Sequence, residues 1–319
     1  LVYDKIHDIS NLRPGNEQQI LHEIIAQYDL VFTALDFSIA EEAKNWGKDT
    51  IVYDPLAWYW KDMPISLRND DLYIAQNFYG VKERIESDPL SFPDTELVSP
   101  IIGKPATRRK GKHVLINLGG LKNPFMSSDT IAEYAGLMAD TILDCLPCDE
   151  NVFIATSNGV ATKLQNGSSN TYSKSKMEGL IADSKYAFMT PGLGNIYDAA
   201  QQGVPTIWLP PANDSQGQQL DLLTERSIID GSMDWRYFLG TIDYLDDQKK
   251  VLDHLADAIS RTVDEKALQA RLKRWTSQQV GEISSESSLP RLIEEFGYGG
   301  DRQAADKVVM YARKMEARD

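Results

Sequence analysis

The sequence is poor in the residues that build metal and redox centres. It has two cysteines and four histidines among 319 residues. The cysteines, Cys145 and Cys148, have the C-x-x-C spacing of redox centres, but they follow a predicted helix, whereas a redox pair normally lies at a helix start. No second cysteine pair or histidine pair completes a zinc site. We therefore expect structural cysteines, no disulfide framework and a reducing compartment such as the cytoplasm.

Long apolar runs and excess positive charge are also missing. No run of about 18 apolar residues occurs and no signal peptide is recognisable, so membrane insertion is not expected. The net charge is −14, which argues against a nucleic-acid partner. The same charge repels an anionic small molecule at long range, so such a ligand would depend on local backbone N–H groups.

The remaining sequence is organised around residues 182–221. An apolar run at 186–189 is broken by Pro191-Gly192-Leu193-Gly194, a helical pattern extends to residue 202, and Gly203 precedes a second apolar run. A strand, a helix and a strand within about thirty residues predict a βαβ unit with parallel strands. Ligands of parallel sheets bind beyond the carboxyl ends of the strands, where the polar residues of this stretch gather.

That edge has the chemistry to bind a nucleotide diphosphate. Gly192 and Gly194 remove side chains where a ligand must approach the backbone. The N–H groups and dipole at the start of the 195–202 helix favour a phosphate. Asp198 lies one turn further, where a carboxylate can accept two hydrogen bonds from a ribose diol. The alternative is an ordinary glycine turn followed by an exposed acid.

A known family shares this order of features. The chain resembles the donor-sugar half of the GT-B nucleotide-sugar glycosyltransferases over roughly residues 98–225. The pattern is most similar to the lipid-linked N-acetylglucosaminyltransferase of peptidoglycan synthesis and to the UDP-glycosyltransferases. The residues that carry the resemblance are Gly192, Asp198, Gly203-Val204-Pro205, Leu209-Pro210 and Gln218-Gln219.

The resemblance implies roles for these residues in binding a UDP-sugar. Asp198 would hold the ribose, although the family more often has Glu there. The helix start at Gly192, Gly194 and Asn195 would hold the phosphates. Gln218 and Gln219 would reach the sugar, after a loop about one residue longer than the family's. The set of donor-binding candidates is completed by the glycine turn Gly119-Gly120.

The resemblance also implies an α/β fold with two Rossmann-like doubly wound domains facing each other across a cleft. We expect an acceptor-side domain at 1–104, a basic solvated connector within 103–112, a donor domain at 105–300 and a last helix at 301–319 that returns to the first domain. Because the chain starts at Leu1 and not Met, we expect its native start to lie upstream. The polar stretch 167–176 is placed beside the nucleotide base, with an ordinary surface loop as the alternative.

The expected activity is metal-independent, inverting transfer of a sugar from a UDP-sugar to a small-molecule acceptor. No D-x-D motif follows a predicted strand, and the acidic pair Asp70-Asp71 precedes one, so neither a catalytic metal nor another cofactor is expected. The alternatives are a UDP-sugar epimerase or hydrolase on the same fold, and a non-catalytic nucleotide-sugar binding protein.

The first half contains only candidates for the catalytic and acceptor-binding residues. Asp36 ends a predicted strand and is our candidate general base, and Asp54 ends the next strand as a candidate acceptor contact. Trp58 and Trp60 either form an aromatic platform for the acceptor or pack in the core. Two histidines could also act as bases, although structural roles are favoured for them: His7 and His22.

Overall fold

The computed structural model describes residues 17–60, 72–92, 94–164, 169–240 and 242–317. The chain forms two compact units. The first comprises residues up to Ile101 together with Gly299–Asp319, and the second comprises Ile102–Tyr298. Asp70, Asp71 and His7 lie outside the described residues, as does part of the 167–176 stretch. None of the helices in the described ranges combines the length and apolar character needed to cross a bilayer.

The first unit is built on a parallel sheet in the order β1-β2-β3-β4. Its elements are α1 (Glu17–Ile25), β1 (Leu30–Ala34), α2 (Phe37–Asn45), β2 (Asp49–Asp54), β3 (Leu72–Gln76), α3 (Val81–Ser87), β4 (Thr95–Val98) and α13 (Gly300–Glu316). Helix α13 packs on this sheet through Ala304, which lies in a buried cluster with Ile51, Ile74 and Val98. The C-terminal helix is therefore part of the first unit.

The second unit has a six-stranded sheet in the order β10-β9-β8-β5-β6-β7, with all neighbouring strands parallel. Its first elements are β5 (His113–Asn117), α4 (Ser128–Leu143), β6 (Val152–Ala155), α5 (Asn158–Ala161), β7 (Ser169–Asn170), α6 (Lys174–Ala182) and β8 (Ser184–Met189). They are followed by α7 (Leu193–Gln202), β9 (Thr206–Trp208), α8 (Asp214–Glu225), β10 (Gly231–Ser232), α9 (Arg236–Leu239), α10 (Gln248–Asp264), α11 (Lys266–Glu282) and α12 (Arg291–Phe296).

Apolar runs that are buried on both faces form the centre of this sheet. The β5 residues Val114, Leu115 and Ile116 are fully buried, as expected for a central parallel strand covered by helices on both sides. Helix α4 packs against the sheet through Ala135, Met138 and Ile142, whose spacing of three and four residues places them on one helix face. The predicted α/β class with parallel sheets is confirmed for both units.

The basic connector is exposed but anchored to the second unit. Arg108 donates hydrogen bonds to the carbonyl oxygens of Ala182 and Ser184, at 3.2 and 2.6 Å. Gly111 lies so close to Lys185 that a Cβ there would be 2.3 Å from the Lys185 Cα. The composition of the connector predicts a solvated segment, and it carries no signal for this contact with the turn between α6 and β8.

Candidate functional site

The strand order of the second unit defines a switch point between β5 and β8. The chain moves outward from β5 through β6 to β7, returns to β8 on the other side of β5, and continues through β9 to β10. This is the dinucleotide-binding strand order, in which ligands bind at the carboxyl ends of the two central strands because their loops diverge there. The loops at this point are residues 118–127 after β5 and residues 190–192 after β8.

A closed set of hydrogen bonds joins these two loops. Asn195 donates from Nδ2 to the carbonyl oxygen and to the Oγ1 of Thr190, both at 2.9 Å. Its Oδ1 accepts from Asn117 Nδ2 at 3.0 Å. Thr190 Oγ1 donates to the Gly119 carbonyl oxygen, and Asn117 Oδ1 accepts from the Gly119 N–H at 3.0 Å. The side chain of Asn195 is therefore occupied in fixing the loops.

The start of α7 presents backbone N–H groups at this edge. The helix begins after Gly192, which supplies no side-chain cap, and the first N–H groups of any helix have no intrahelical partner. Among the described residues, no acceptor takes the N–H of Gly194 or Asn195. A Cβ added at Gly192 or Gly194 would find no atom within 4 Å. The helix start therefore combines unpaired donors with open space.

Asp198 follows one turn along α7 and is half-buried. Burial raises the pKa of its carboxyl group. Of two charged residues on α6, Lys174 lowers this pKa and Glu178 raises it. In the described part of the chain, no group donates a hydrogen bond to this carboxylate. Because this carboxylate is partly shielded from water and has no donor in the described ranges, it can accept hydrogen bonds from the hydroxyl groups of a ligand.

Helix α8 supports the other side of the switch point through Gln216. Its Nε2 donates to the Gly120 carbonyl oxygen at 2.9 Å and its Oε1 accepts from the Ala212 N–H at 2.9 Å. Gly120 has φ +87°, and a Cβ there would be 3.3 Å from Thr190 Oγ1. The turn Gly119-Gly120 is therefore held from both sides, and a side chain at its second position would be strained.

Two further bonds attach the loop after β5 to the start of α8. Asn213 caps the helix by accepting from the Gln216 N–H at 3.1 Å, and it donates to the Lys122 carbonyl oxygen at 3.1 Å. The buried Asn123 donates to the Ala212 carbonyl oxygen at 3.1 Å. Loop and helix thus form one hydrogen-bonded wall of the switch point.

The predicted sugar-binding glutamines have different surroundings. Gln218 donates to the Tyr244 carbonyl oxygen at 2.8 Å, so its amide is held by the segment after α9. Gln219 is 2% exposed, and no described residue donates to its Oε1. The glutamine that contacts the glycine turn is Gln216, which the sequence interpretation missed.

The missed residues had only weak signals in the sequence. Gln216 follows the N-cap Asn213 by three residues, a spacing typical of a capping box. Asn117 is the last residue of a strand that precedes a glycine turn. Neither pattern says that the two side chains reach loops distant in the chain, because those contacts depend on strand order.

In the first unit, Asp36 has a structural contact. It is the N-cap of α2 and accepts from the Ile39 N–H at 3.0 Å through Oδ1. Its side chain is otherwise exposed. The carboxylate therefore starts a helix at the carboxyl end of β1 and keeps its second oxygen accessible.

Asp54 is 0% exposed and fully engaged. It accepts from the Leu56 N–H at 2.6 Å, from Trp60 Nε1 at 2.8 Å and from the Tyr73 hydroxyl group. Burial raises the pKa of the carboxyl group, and these three hydrogen bonds lower it. Asp54 therefore organises the residues around it and has little capacity left for a ligand.

The two tryptophans pack among other aromatic rings. Trp60 meets Phe37 edge-on at 5.2 Å, and the Trp58 ring lies 5.8 Å from both Tyr59 and Phe78. The Trp58 Nε1 is buried, and no described residue accepts from it. These contacts correspond to the packing alternative for Trp58 and Trp60, and their acceptor role stays a prediction.

Histidine and cysteine do not form a chemical centre in the described residues. His22 packs edge-on against Trp46 at 4.6 Å, and the buried His113 ring lies with Nε2 2.9 Å from the Leu180 carbonyl oxygen. Cys145 contacts the Lys273 carbonyl oxygen, and Cys148 is exposed. Within the ranges that the structure covers, no group of three His, Cys, Asp or Glu residues could hold a metal ion.

Comparison with known proteins gives similarity in fold at low sequence identity. No family model matches the sequence, and no curated protein matches it. CalG4, the calicheamicin glycosyltransferase, is 14% identical with a TM-score of 0.44, over 94% of this chain and 80% of that one. Arabidopsis thaliana UGT89C1 complexed with UDP is 12% identical with a TM-score of 0.46, over 87% and 75%.

A third similar structure is a UDP-glucosyltransferase from Polygonum tinctorium capable of glucosylating indoxyl. It is 12% identical with a TM-score of 0.44, over 93% of this chain and 85% of that one. These values describe a distant likeness.

Proposed function

We propose that this protein is a glycosyltransferase that moves a sugar from a UDP-sugar to a small-molecule acceptor. The observation that carries the proposal is the start of α7 at the β5–β8 switch point. There the unpaired N–H groups of Gly194 and Asn195 lie one turn before Asp198, whose carboxylate has no hydrogen-bond donor among the described residues. The resemblance of this stretch to donor domains of GT-B enzymes supports the same assignment.

The diphosphate is assigned to the start of α7. Backbone N–H groups and the positive end of the helix dipole stabilise phosphate oxygens without a cationic side chain. Gly192 and Gly194 leave the space that the phosphates need. This arrangement suits a protein of net charge −14, because the attraction is local and does not depend on the overall field.

The ribose is assigned to Asp198. An ionised carboxylate can accept a hydrogen bond from each hydroxyl group of a diol, and such charge-assisted bonds are stronger than neutral ones. Lys174, the nearby cation on α6, favours the ionised form. The ribose hydroxyl groups would supply the donors that the carboxylate lacks in the described structure.

The transferred sugar is assigned to the wall formed by Gly119, Gly120 and the first turn of α8. Gln216 holds this wall in place, and we infer that it, more than Gln218, lies nearest to the sugar. Gln219 remains a candidate because its buried Oε1 has no donor among the described residues.

The proposed reaction is metal-independent and inverting. An acceptor oxygen attacks the anomeric carbon while the bond to the UDP oxygen breaks, and the α7 N–H groups stabilise the negative charge that develops on the diphosphate. A general base must take the acceptor proton. Asp36 is our candidate because its carboxylate is exposed and accepts only one hydrogen bond among the described residues. Asp54 stays a candidate for contact with the acceptor, although its carboxylate already accepts three hydrogen bonds.

A second candidate function is nucleotide-sugar binding without transfer. It is favoured because both candidate carboxylates of the first unit already have structural contacts: Asp36 caps a helix, and Asp54 accepts three hydrogen bonds. A UDP-sugar epimerase or hydrolase is a further alternative, which would release altered or free sugar without an acceptor.

A donor panel followed by a transfer assay separates these functions. UDP-sugars at a hundred times their Kd should stabilise the fold by about 2.7 kcal/mol, which a thermal shift detects. With radiolabelled donor, acceptor library and EDTA present, we expect label to move onto an acceptor. Binding without any turnover would support the binding protein, and free or epimerised sugar would support the third function. No shift with any nucleotide sugar would contradict the proposal.

A further inference from the structure

A second network of polar residues contacts α8 on the side away from Gln216. Arg236 donates from Nε to both oxygens of Asp234 at 3.1 Å, and from Nη2 to Asp234 Oδ2 at 2.7 Å. The same Nη2 donates to Asp221 Oδ1 on α8. Asp234 is 4% exposed, so the guanidinium group joins a buried acid of the β10–α9 loop to an acid on the second turn of α8.

Tyr244 fills the space between this arginine and the helix. Its ring lies 5.0 Å below the Arg236 guanidinium carbon, and its hydroxyl group donates to Asp234 Oδ1 at 3.2 Å. A Cβ on Gly217 would be 2.2 Å from the ring, so the helix backbone lies directly against it. The carbonyl oxygen of Tyr244 also accepts from Gln218 Nε2.

The contacts place the network on one side of α8 and the switch point on another. Gln218 follows Gly217 directly, and Asp221 lies one turn after Gly217. All three residues contact either Arg236 or Tyr244, which together form the Arg236–Tyr244 group. Gln216 instead reaches the Gly120 carbonyl oxygen. Gln216 and the Arg236–Tyr244 group are therefore connected through the backbone of α8.

We propose that Arg236 is a positioning residue, which by binding Asp221 and Asp234 together sets the place of Gln216 and thereby the selectivity for the sugar part of the donor. The claim that Arg236 sets selectivity for the sugar rests on the proposed function. The claim that Arg236 positions Gln216 concerns the free protein and does not rest on it. Arg236 does not itself contact the donor in this account, whereas UDP alone binds through α7 and does not need the α8 wall.

The sharpest variant is Asp221→Asn, which weakens the link to α8 and leaves the Asp234–Arg236 contact in place. Arg236→Gln removes both links. Arg236→Lys keeps the charge but loses the planar fork, so it should rescue only in part. The control is Asp230→Asn. Asp230 accepts from the Thr206 N–H, at the amino end of β9, at 3.0 Å and from the Ser288 N–H at 2.7 Å. The substitution therefore weakens a comparable network at the other end of a strand.

Two measurements test the proposal. Hydrogen exchange of the free protein should rise in residues 118–122 and 213–220 for Asp221→Asn and Arg236→Gln, and not for Asp230→Asn. Calorimetry should show a UDP-sugar affinity roughly five- to tenfold weaker in these two variants, with UDP affinity within about twofold of the parent. Arg236→Lys should lie between parent and Arg236→Gln in both measurements.

The outcomes separate this inference from the proposed function. A parent protein that binds no UDP-sugar would overturn the proposed function, while the exchange data would still decide the positioning role. Unchanged exchange in both segments would overturn the positioning role. Equal losses of UDP and UDP-sugar affinity, or losses matched by Asp230→Asn, would show a general effect on stability and would overturn the selectivity claim.

Discussion

At the residue scale, two aspartates, one buried and one half-buried, show how hydrogen bonding separates structural from ligand-binding carboxylates. Burial raises the pKa of both Asp54 and Asp198. Asp54 receives three hydrogen bonds from its own unit, whereas Asp198 receives none from the described residues. The first carboxylate therefore contributes to the fold, and the second is available for a ligand.

The raised pKa of Asp198 predicts a pH dependence of donor binding. As pH falls through this raised value, which lies above the ordinary aspartate pKa of about 4, the carboxylate takes a proton and loses acceptor capacity. Affinity for a UDP-sugar should therefore fall with decreasing pH, starting above the range of an ordinary aspartate. Calorimetry against pH measures this, and Asp198→Asn should give a flat profile. Parallel profiles for parent and variant would contradict the assignment.

Removing the Asp54 carboxylate should destabilise the first unit. In Asp54→Ala the Tyr73 hydroxyl, the Trp60 indole N–H and the Leu56 N–H lose their acceptor, so the free energy of unfolding should fall by about 2–4 kcal/mol. The control is Asp36→Ala, which loses one exposed N-cap and should cost about 1 kcal/mol. Urea denaturation measures both. An Asp54→Ala cost no larger than the control would be inconsistent with this network.

The stability contribution of Asp54 also has a defined pH sign. Because its pKa is raised in the folded state, the folded protein binds the proton more readily than the unfolded chain. Stability should therefore decrease as pH rises from the unfolded pKa through the raised folded pKa. The Asp54→Asn variant should lose this part of the pH dependence.

At the scale of elements, local sequence patterns predict several of the strands and helices of the second unit. The apolar run at 186–189 lies within β8, the helical pattern before Gly203 corresponds to α7, and Gly203 ends that helix with φ +60°. These features depend on nearest neighbours in the chain, so composition and spacing determine them. The sequence pattern predicts a polar loop where the two-residue strand β7 lies, because Ser169 and Asn170 carry no apolar signal.

The parts of the site that sequence missed are those made by distant contacts. Gln216 meets Gly120, which is 96 residues away, and Arg236 meets Asp221 on α8, which is 15 residues away, whereas its bond to Asp234 is local. Such pairs follow from strand order and helix orientation, which no local pattern encodes. The same reason explains why Gln218, part of a recognisable Gln-Gln pair, has its amide bound to Tyr244 instead.

Two helical glycines of the second unit should respond in opposite ways to alanine. Gly217→Ala places a Cβ 2.2 Å from the Tyr244 ring, so we expect the free energy of unfolding to fall by about 1–3 kcal/mol despite better helix propensity. Gly194→Ala meets no atom and should be neutral or stabilising by up to about 1 kcal/mol.

The same glycine pair tests the phosphate assignment. Gly194→Ala should weaken binding of UDP, because the new methyl group occupies the space at the α7 start. Denaturation and calorimetry on both variants give the four values. A Gly194→Ala protein that binds UDP as tightly as the parent would contradict the assignment of the phosphates to the start of α7.

At the scale of the whole molecule, the net charge of −14 makes a prediction about ionic strength. Long-range repulsion slows the approach of an anionic donor, and salt screens it over a Debye length of about 10 Å at 0.1 M. The association rate of UDP should therefore increase from low to moderate salt. Uridine, which lacks the phosphates, should show no such change in stopped-flow measurements. An association rate that falls steeply with salt would indicate steering by cationic side chains.

The central claim is that Asp198, beside the open start of α7, holds the ribose of a uridine nucleotide. Calorimetric titration of the full chain with UDP tests it most directly. Hydrogen bonds to a charged group contribute about 1.5–3 kcal/mol, so Asp198→Ala should bind roughly ten- to a hundredfold more weakly. Asp198→Glu should bind about as well as the parent, and Asp198→Asn should lie between.

The control for this titration is Gln201→Ala on the same helix, whose amide contacts the Lys104 carbonyl oxygen and lies outside the proposed site. It should bind UDP as the parent does and thereby show that an α7 substitution alone does not reduce affinity. The account predicts a loss confined to the Asp198 variants. An Asp198→Ala protein that stays folded and binds UDP as tightly as the parent would contradict it.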